Sequence, residues 1–196
     1  MELAVDVLME LGNIGSGNAA ARLEDWLGEP VAITLTNTFL FTLEDIKRHI
    51  VSPCESGLWV HACVTGGVQG HILYMLTREE GRNILDIIIG GEVEGSNLTE
   101  CEESALSETG NILFGSYFTA LHEMLDVEID ISPPRCGDNL VGLIKEGLSA
   151  DRMREEYLTV IIETMLISQR TLQGSRIIFF TGIEDAPRIV GLAEAR

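Results

Sequence analysis

The chain has 196 residues, 45% of them hydrophobic, and carries a formal net charge of −18. That length supports a substantial core, with about 70% of the unfolded surface withdrawn from water, and the acidity argues against nucleic acid or an anionic membrane as a partner while suiting a protein with a basic surface. No basic, apolar leader and no run of about 18 apolar residues occurs, so the expected compartment is the cytoplasm. The four cysteines, Cys54, Cys63, Cys101 and Cys136, form no C-x2-C pair. They read as reduced, mostly buried thiols rather than a disulfide or zinc framework.

In chain order, residues 2 to about 27 read as a helix stopped by Gly28 and Pro30. Val31 to Leu35 and Thr38 to Phe41 read as two short strands, followed by a short helix from Thr42 to about Ile50. Leu58–Val64 and Val68–Leu76 form a hairpin across Gly66-Gly67. Thr77-x-x-Glu80 is a capping box for a helix that stops at Gly90-Gly91.

A polar stretch from Glu92 to Leu98 then divides the chain, and a second capping box, Thr99-x-x-Glu102, opens another long helix. Val127–Ile131 reads as a strand, Pro133-Pro134 as a rigid turn and Asn139–Leu148 as a helix. Tyr157–Ile167 and Ser175–Thr181 form a second hairpin turning near 169–174, and Glu184–Glu194 is a closing helix. The order helix, strand, helix, hairpin, helix thus occurs twice. The expected architecture is a single α+β domain, residues 1–196, made of two repeats at about 1–95 and 99–196. It has two layers and pseudo-twofold symmetry, with two long helices on one face of a mostly antiparallel sheet.

The repeat is sharpest in one motif. Asp6-x3-Glu10-x2-Asn13-Ile14 with Gly17 recurs as Ser104-x3-Glu108-x2-Asn111-Ile112 with Gly115, every position offset by 98. On a helix, Glu10 lies roughly 40° round from Asp6 and Asn13 roughly 20° the other way, so the three share a face. Leu8, Leu11, Gly15 and Ala19 fall on the opposite face, with Ala4, and form the side to bury. Glycine costs about 1 kcal/mol against alanine inside a helix. Its recurrence at Gly12/Gly110 and Gly17/Gly115 therefore predicts close approach of another backbone there. The Gly12-x-x-Gly15-x-Gly17 run is not a phosphate cradle: no strand precedes it, the spacing is not G-x-G-x-x-G, and no Lys or Arg occurs before Arg22.

The phrase from Glu10 through Ala20, with its partner Glu108-Thr109-Gly110-Asn111-Ile112, resembles the paired signatures of the CheC/CheX/FliY phosphatases, and within them most resembles CheC. The resemblance covers nearly the whole chain. It implies hydrolysis of the aspartyl phosphate on the chemotaxis response regulator CheY. By that resemblance, Asn13 and Asn111 orient the attacking water, and Glu10 and Glu108 dock on the regulator's lysine. Asp6 and Ser104 would add supporting contacts, and Gly17 and Gly115 would leave room for the partner. The chain needs no cofactor or metal of its own in this reading, because Mg2+ comes bound to the regulator. CheD is a possible second partner, and the alternative is a non-catalytic binding module for CheD or a motor-switch component.

An amide suits the assigned role, since it donates and accepts hydrogen bonds while staying neutral beside a phosphate. The copies differ at Gly15-Ser16 against Leu113-Phe114, a change in bulk that could make two sites unequal. His49, His61, His71 and His122 show no ligand spacing; His61 and His71 can face each other across the hairpin but read as ordinary strand positions.

Overall fold

A computed structural model describes residues 2–51, 57–90, 98–143, 159–182 and 185–194. The motif helices are α1, Glu2–Leu27, and α4, Glu100–Leu125, each 26 residues long. Both end on a left-handed residue at the equivalent place, Gly28 with φ 65° and Asp126 with φ 54°. Glycine adopts that conformation freely, and aspartate is among the few other residues that tolerate it. Both expected capping boxes form: Thr77 and Glu80 open α3 (Arg78–Ile89), and Thr99 and Glu102 open α4.

The strands are β1 (Val31–Phe41), β2 (Leu58–Gly66), β3 (Gly70–Leu76), β4 (Ile129–Ile131), β5 (Arg135–Gly137), β6 (Thr159–Ser168) and β7 (Gln173–Gly182). They join one antiparallel sheet in the order β1-β6-β7-β3-β2-β4, with β5 also on β2. The sheet is continuous across the two halves. Each half contributes its hairpin to the middle, where β3 meets β7, and sends its first strand to the hairpin of the other half. β1 therefore lies on β6, and β4 and β5 lie on β2.

The two outer strands differ from expectation in opposite ways. β1 is one long strand rather than two, with a register irregularity between Ile33 and Leu35. Its counterpart is cut into β4 and β5, and the break falls at Ser132-Pro133-Pro134, the equivalent place. Proline has no N–H to give a ladder and is confined to edges and interruptions. A bulge on one side and a proline break on the other thus relieve the same bend. The sequence pattern does not predict β5.

α1, α3, α4 and α6 (Ala186–Glu194) cover one face of the sheet, burying Leu8, Leu11, Ile84, Leu113, Phe118 and Ile189 among a shared core with Val60, Ile72, Tyr74 and Phe179. On the other face, α2 (Leu43–Ile46), the π-helical turn Lys47–Val51 and α5 (Leu140–Leu143) cap a smaller cluster around Ile46, Leu73, Met75, Ile178 and Phe180. The dividing stretch before Leu98, the rest of the helix expected after Leu143, and the first residues of the second hairpin lie outside the described residues.

The end of α1 is fixed by one carboxylate. Glu29 is buried and accepts hydrogen bonds from Ser168 Oγ at 2.7 Å, the Thr171 N–H at 2.9 Å and the Arg170 N–H at 3.1 Å. Burial by itself would raise its pKa. The hydrogen bonds from Thr171, Ser168 and Arg170 together outweigh that and hold the carboxyl at about 2. Glu29 thereby ties the helix that carries Glu10 and Asn13 to the turn between β6 and β7.

Candidate functional site

α1 and α4 pack against each other through small-to-large contacts. A Cβ placed on Gly15 would come within 2.8 Å of the Tyr117 ring, so only glycine admits that ring. The residues equivalent to Gly15 and Tyr117 are Leu113 and Ala19, which reverse the sizes, and both are fully buried. Ser16 is buried too, its hydroxyl donating to Thr164 Oγ1 at 2.8 Å, while its counterpart Phe114 fills the core. The difference in bulk between the copies therefore faces inward. It does not alter the outward strips.

Those strips match position by position. Asp6, Glu10 and Asn13 are exposed on α1, and Ser104, Glu108 and Asn111 are exposed on α4; Gly17 and Gly115 are half-exposed at the end of each. Leu8, Leu11, Gly15 and Ala19 are buried opposite them, as the helical period requires. In the second copy the Asn111 amide lies 3.5 Å from a Glu108 carboxylate oxygen, so the two polar groups of a motif reach each other along one turn. Acidic Glu100 and Glu103 are exposed in the first turn of α4, which keeps this end of the surface anionic.

The glycines divide into two kinds, which corrects the expectation of backbone approach. Gly110 is buried, and a Cβ there would run into the Val60 side chain, not a backbone. Gly17 and Gly115 face open space, and a methyl added at either would have nothing within 4 Å of it. Among the described residues, nothing requires glycine at either position. Gly115 instead opens a surface groove between α4 and β4 that is lined by Thr119, His122, Glu128 and Asp130.

The cysteines also differ from expectation. Cys101 is exposed and Cys63 and Cys136 are half-buried, all three as free thiols, and Cys54 lies outside the described residues. α4 turns Cys101 outward, and Cys63 on β2 and Cys136 on β5 are only partly covered. Across the first hairpin, His61 and His71 do meet, with Nε2 of one 3.1 Å from Nδ1 of the other. The strand alternation contained that signal, but only the register of β2 on β3 reveals it.

A profile of the CheC-like family matches residues 102–136, from the start of α4 through β5. Over a wider span, the chain is 30% identical to the flagellar motor switch phosphatase FliY of Bacillus subtilis, across 161 residues that make up 81% of this chain. The crystal structure of Thermotoga maritima FliY superposes with a TM-score of 0.77 at 25% identity, covering 98% of this chain and 96% of that one. The chain is similar to CheC-like proteins across its second motif copy and to FliY over most of its own length. The CheY-P phosphatase CheC of Bacillus subtilis is 24% identical over 86% of this chain and 82% of its own length. The chain spans 41% of the length of the Bacillus subtilis FliY that it matches. The family match covers the second motif copy, and among the described residues no helix is long and apolar enough to cross a membrane.

Proposed function

We propose that this CheC-like chain is a phosphatase for the aspartyl phosphate of a CheY-type response regulator. The observation that carries the reading is the pair of exposed Glu-x2-Asn strips, offset by 98 residues, on two helices packed side by side. The activities for which the relatives are named, CheY-P phosphatase for CheC and motor switch phosphatase for FliY, agree with it.

An acyl phosphate is already activated, so a phosphatase for it has to add positioning rather than a nucleophile of its own. Asn13 and Asn111 would enter beside the phosphoryl group and align a water for in-line attack. A carboxylate in that place would repel the phosphate, whereas an amide can donate to it and accept from the water. Glu10 and Glu108, one turn away, would pair with the lysine of the regulator and set the depth of docking. The first strip offers two carboxylates, Asp6 and Glu10, and the second offers one, Glu108, few hard oxygen donors for Mg2+, which favours octahedral oxygen coordination. The ion is therefore assigned to the regulator. The acidic surface of the chain would draw in a partner with a basic face.

The alternative reading is that the chain holds a motor-switch component or CheD and catalysis is vestigial; the words "motor switch" in the name of the FliY relative agree with the first of those partners. The two readings separate in one assay with a Mg2+-bound, phosphorylated CheY-type regulator. Substoichiometric chain accelerating phosphate release supports the phosphatase. A stoichiometric complex without acceleration supports the binding module.

A further inference from the structure

His61, Cys63 and His71 converge on the sheet face opposite the motif helices. His61 and Cys63 are two apart on β2, so both project to the same side, and His71 on β3 lies directly across from Cys63. The even-numbered residues around them, Val60, Ala62, Val64 and Ile72, point the other way into the helix-covered core. The donor atoms of the three side chains all lie within 4.8 Å of one another.

We propose that this hairpin binds a zinc ion, or a divalent ion of similar softness, through His61, Cys63 and His71. Two imidazole nitrogens bound to tetrahedral zinc at about 2.0–2.1 Å sit about 3.3 Å apart. The 3.1 Å between His61 Nε2 and His71 Nδ1 is already close to that edge. The Cys63 sulfur, within 4.8 Å of both nitrogens, has at most about 1.3 Å to close toward its place at about 3.5 Å from each, within reach of a χ1 adjustment. One thiolate with two imidazoles is a donor set that selects zinc over the hard cations magnesium and calcium.

The site is enclosed by the sheet: His61 is 2% exposed, and Cys63 and His71 are half-buried. Arg135, paired with His61 across β2 and β5, is the cation that opposes metal entry; its side chain is exposed and solvent screens it. Cys63 is held in place from the break between β4 and β5, its N–H donating to Ser132 Oγ and its carbonyl accepting from the Ser132 N–H, both at 2.9 Å.

Three protein ligands leave a fourth position for water or a small anion. The site lies across the sheet from Asn13 and Asn111 and does not depend on the phosphatase reading. Its effect would be to tie β2 to β3 beside β4 and β5, where the two halves interlock.

The test uses the full-length protein freed of metal by chelation. Titration with Co2+ should saturate at one ion per chain, with the near-ultraviolet charge-transfer band of a thiolate–cobalt bond and the intense visible bands of tetrahedral geometry. Zn2+ should displace it. Cys63→Ser should lose the charge-transfer band, and His71→Gln should weaken binding by at least about tenfold, since loss even of an outer partner of a metal ligand costs that much. Circular dichroism would confirm that both variants fold, and a variant that does not fold would be replaced by Cys63→Ala or His71→Asn. Absence of saturable binding to the wild type would leave only a hydrogen-bonded histidine pair and overturn the proposal. An unchanged band in folded Cys63→Ser would overturn it as well.

Discussion

Gly15 of α1 lies against the ring of Tyr117 on α4, with room for a hydrogen and not for a methyl. Tyr117 cannot give way easily, because it is buried and stacked edge-on against Phe118 at 5.0 Å. Gly15→Ala would gain about 1 kcal/mol of helix propensity and lose about 1–3 kcal/mol to overpacking. The expected outcome is a net loss of up to about 2 kcal/mol in urea unfolding. A more stable variant would show that the helices separate without cost.

Gly17 and Gly115 should behave in the opposite way. A methyl at either position meets nothing, so Gly17→Ala and Gly115→Ala should each stabilise the helix by up to about 1 kcal/mol. If those glycines keep space for the regulator, the same variants should lose phosphatase activity through a higher KM. Thermal melting read beside steady-state kinetics checks both halves of this prediction. Greater stability with unchanged kinetics would remove the docking role of the two glycines.

Glu29 predicts a specific acid response. Its folded pKa is about 2 against an ordinary value of 4.5, so it favours the folded state above the unfolded pKa. That contribution disappears as pH falls from about 4.5 toward 2. Glu29→Gln should lower stability at neutral pH by about 1.5–3 kcal/mol, the scale of hydrogen bonds to a charged group. It should also flatten the dependence of stability on pH between those limits. Denaturant midpoints measured across that range for both proteins supply the check.

The two carboxylates and the two amides should fail differently. Glu10→Ala with Glu108→Ala removes docking contacts and should raise KM, more so at low salt where charge pairing counts most. Asn13→Ala with Asn111→Ala removes water alignment and should lower kcat. Equal effects on both parameters from both pairs would contradict the division of roles.

Local signals carried the helices and the motif faces. Capping boxes fixed the starts of α3 and α4, glycine fixed the end of α1, and the 3.6-residue period placed Leu8, Leu11 and Ala19 inward and Glu10 and Asn13 outward. What stayed hidden depends on pairing between residues far apart in the chain. The exchange of β1 and β4–β5 between halves joins Val31 to Ser168 and Val64 to Ile131, and no local pattern encodes such partners. Pro133-Pro134 announced a break but not that a three-residue strand, β5, resumes after it. The convergence of His61 and His71 required the hairpin register, which the Gly66-Gly67 turn alone leaves open. The inward Gly15–Tyr117 and Ser16–Thr164 contacts likewise settle only in three dimensions, and they show why unequal sequences can present equal faces.

The most direct measurement is the rate of phosphate loss from a Mg2+-bound, phosphorylated CheY-type regulator with wild type, Asn13→Ala, Asn111→Ala and the double variant. The account predicts acceleration by wild type, a partial loss in each single variant and a fall of about a hundredfold or more in the double variant, the scale on which misplacing a reactant slows an enzyme. Full activity in a folded double variant would contradict it.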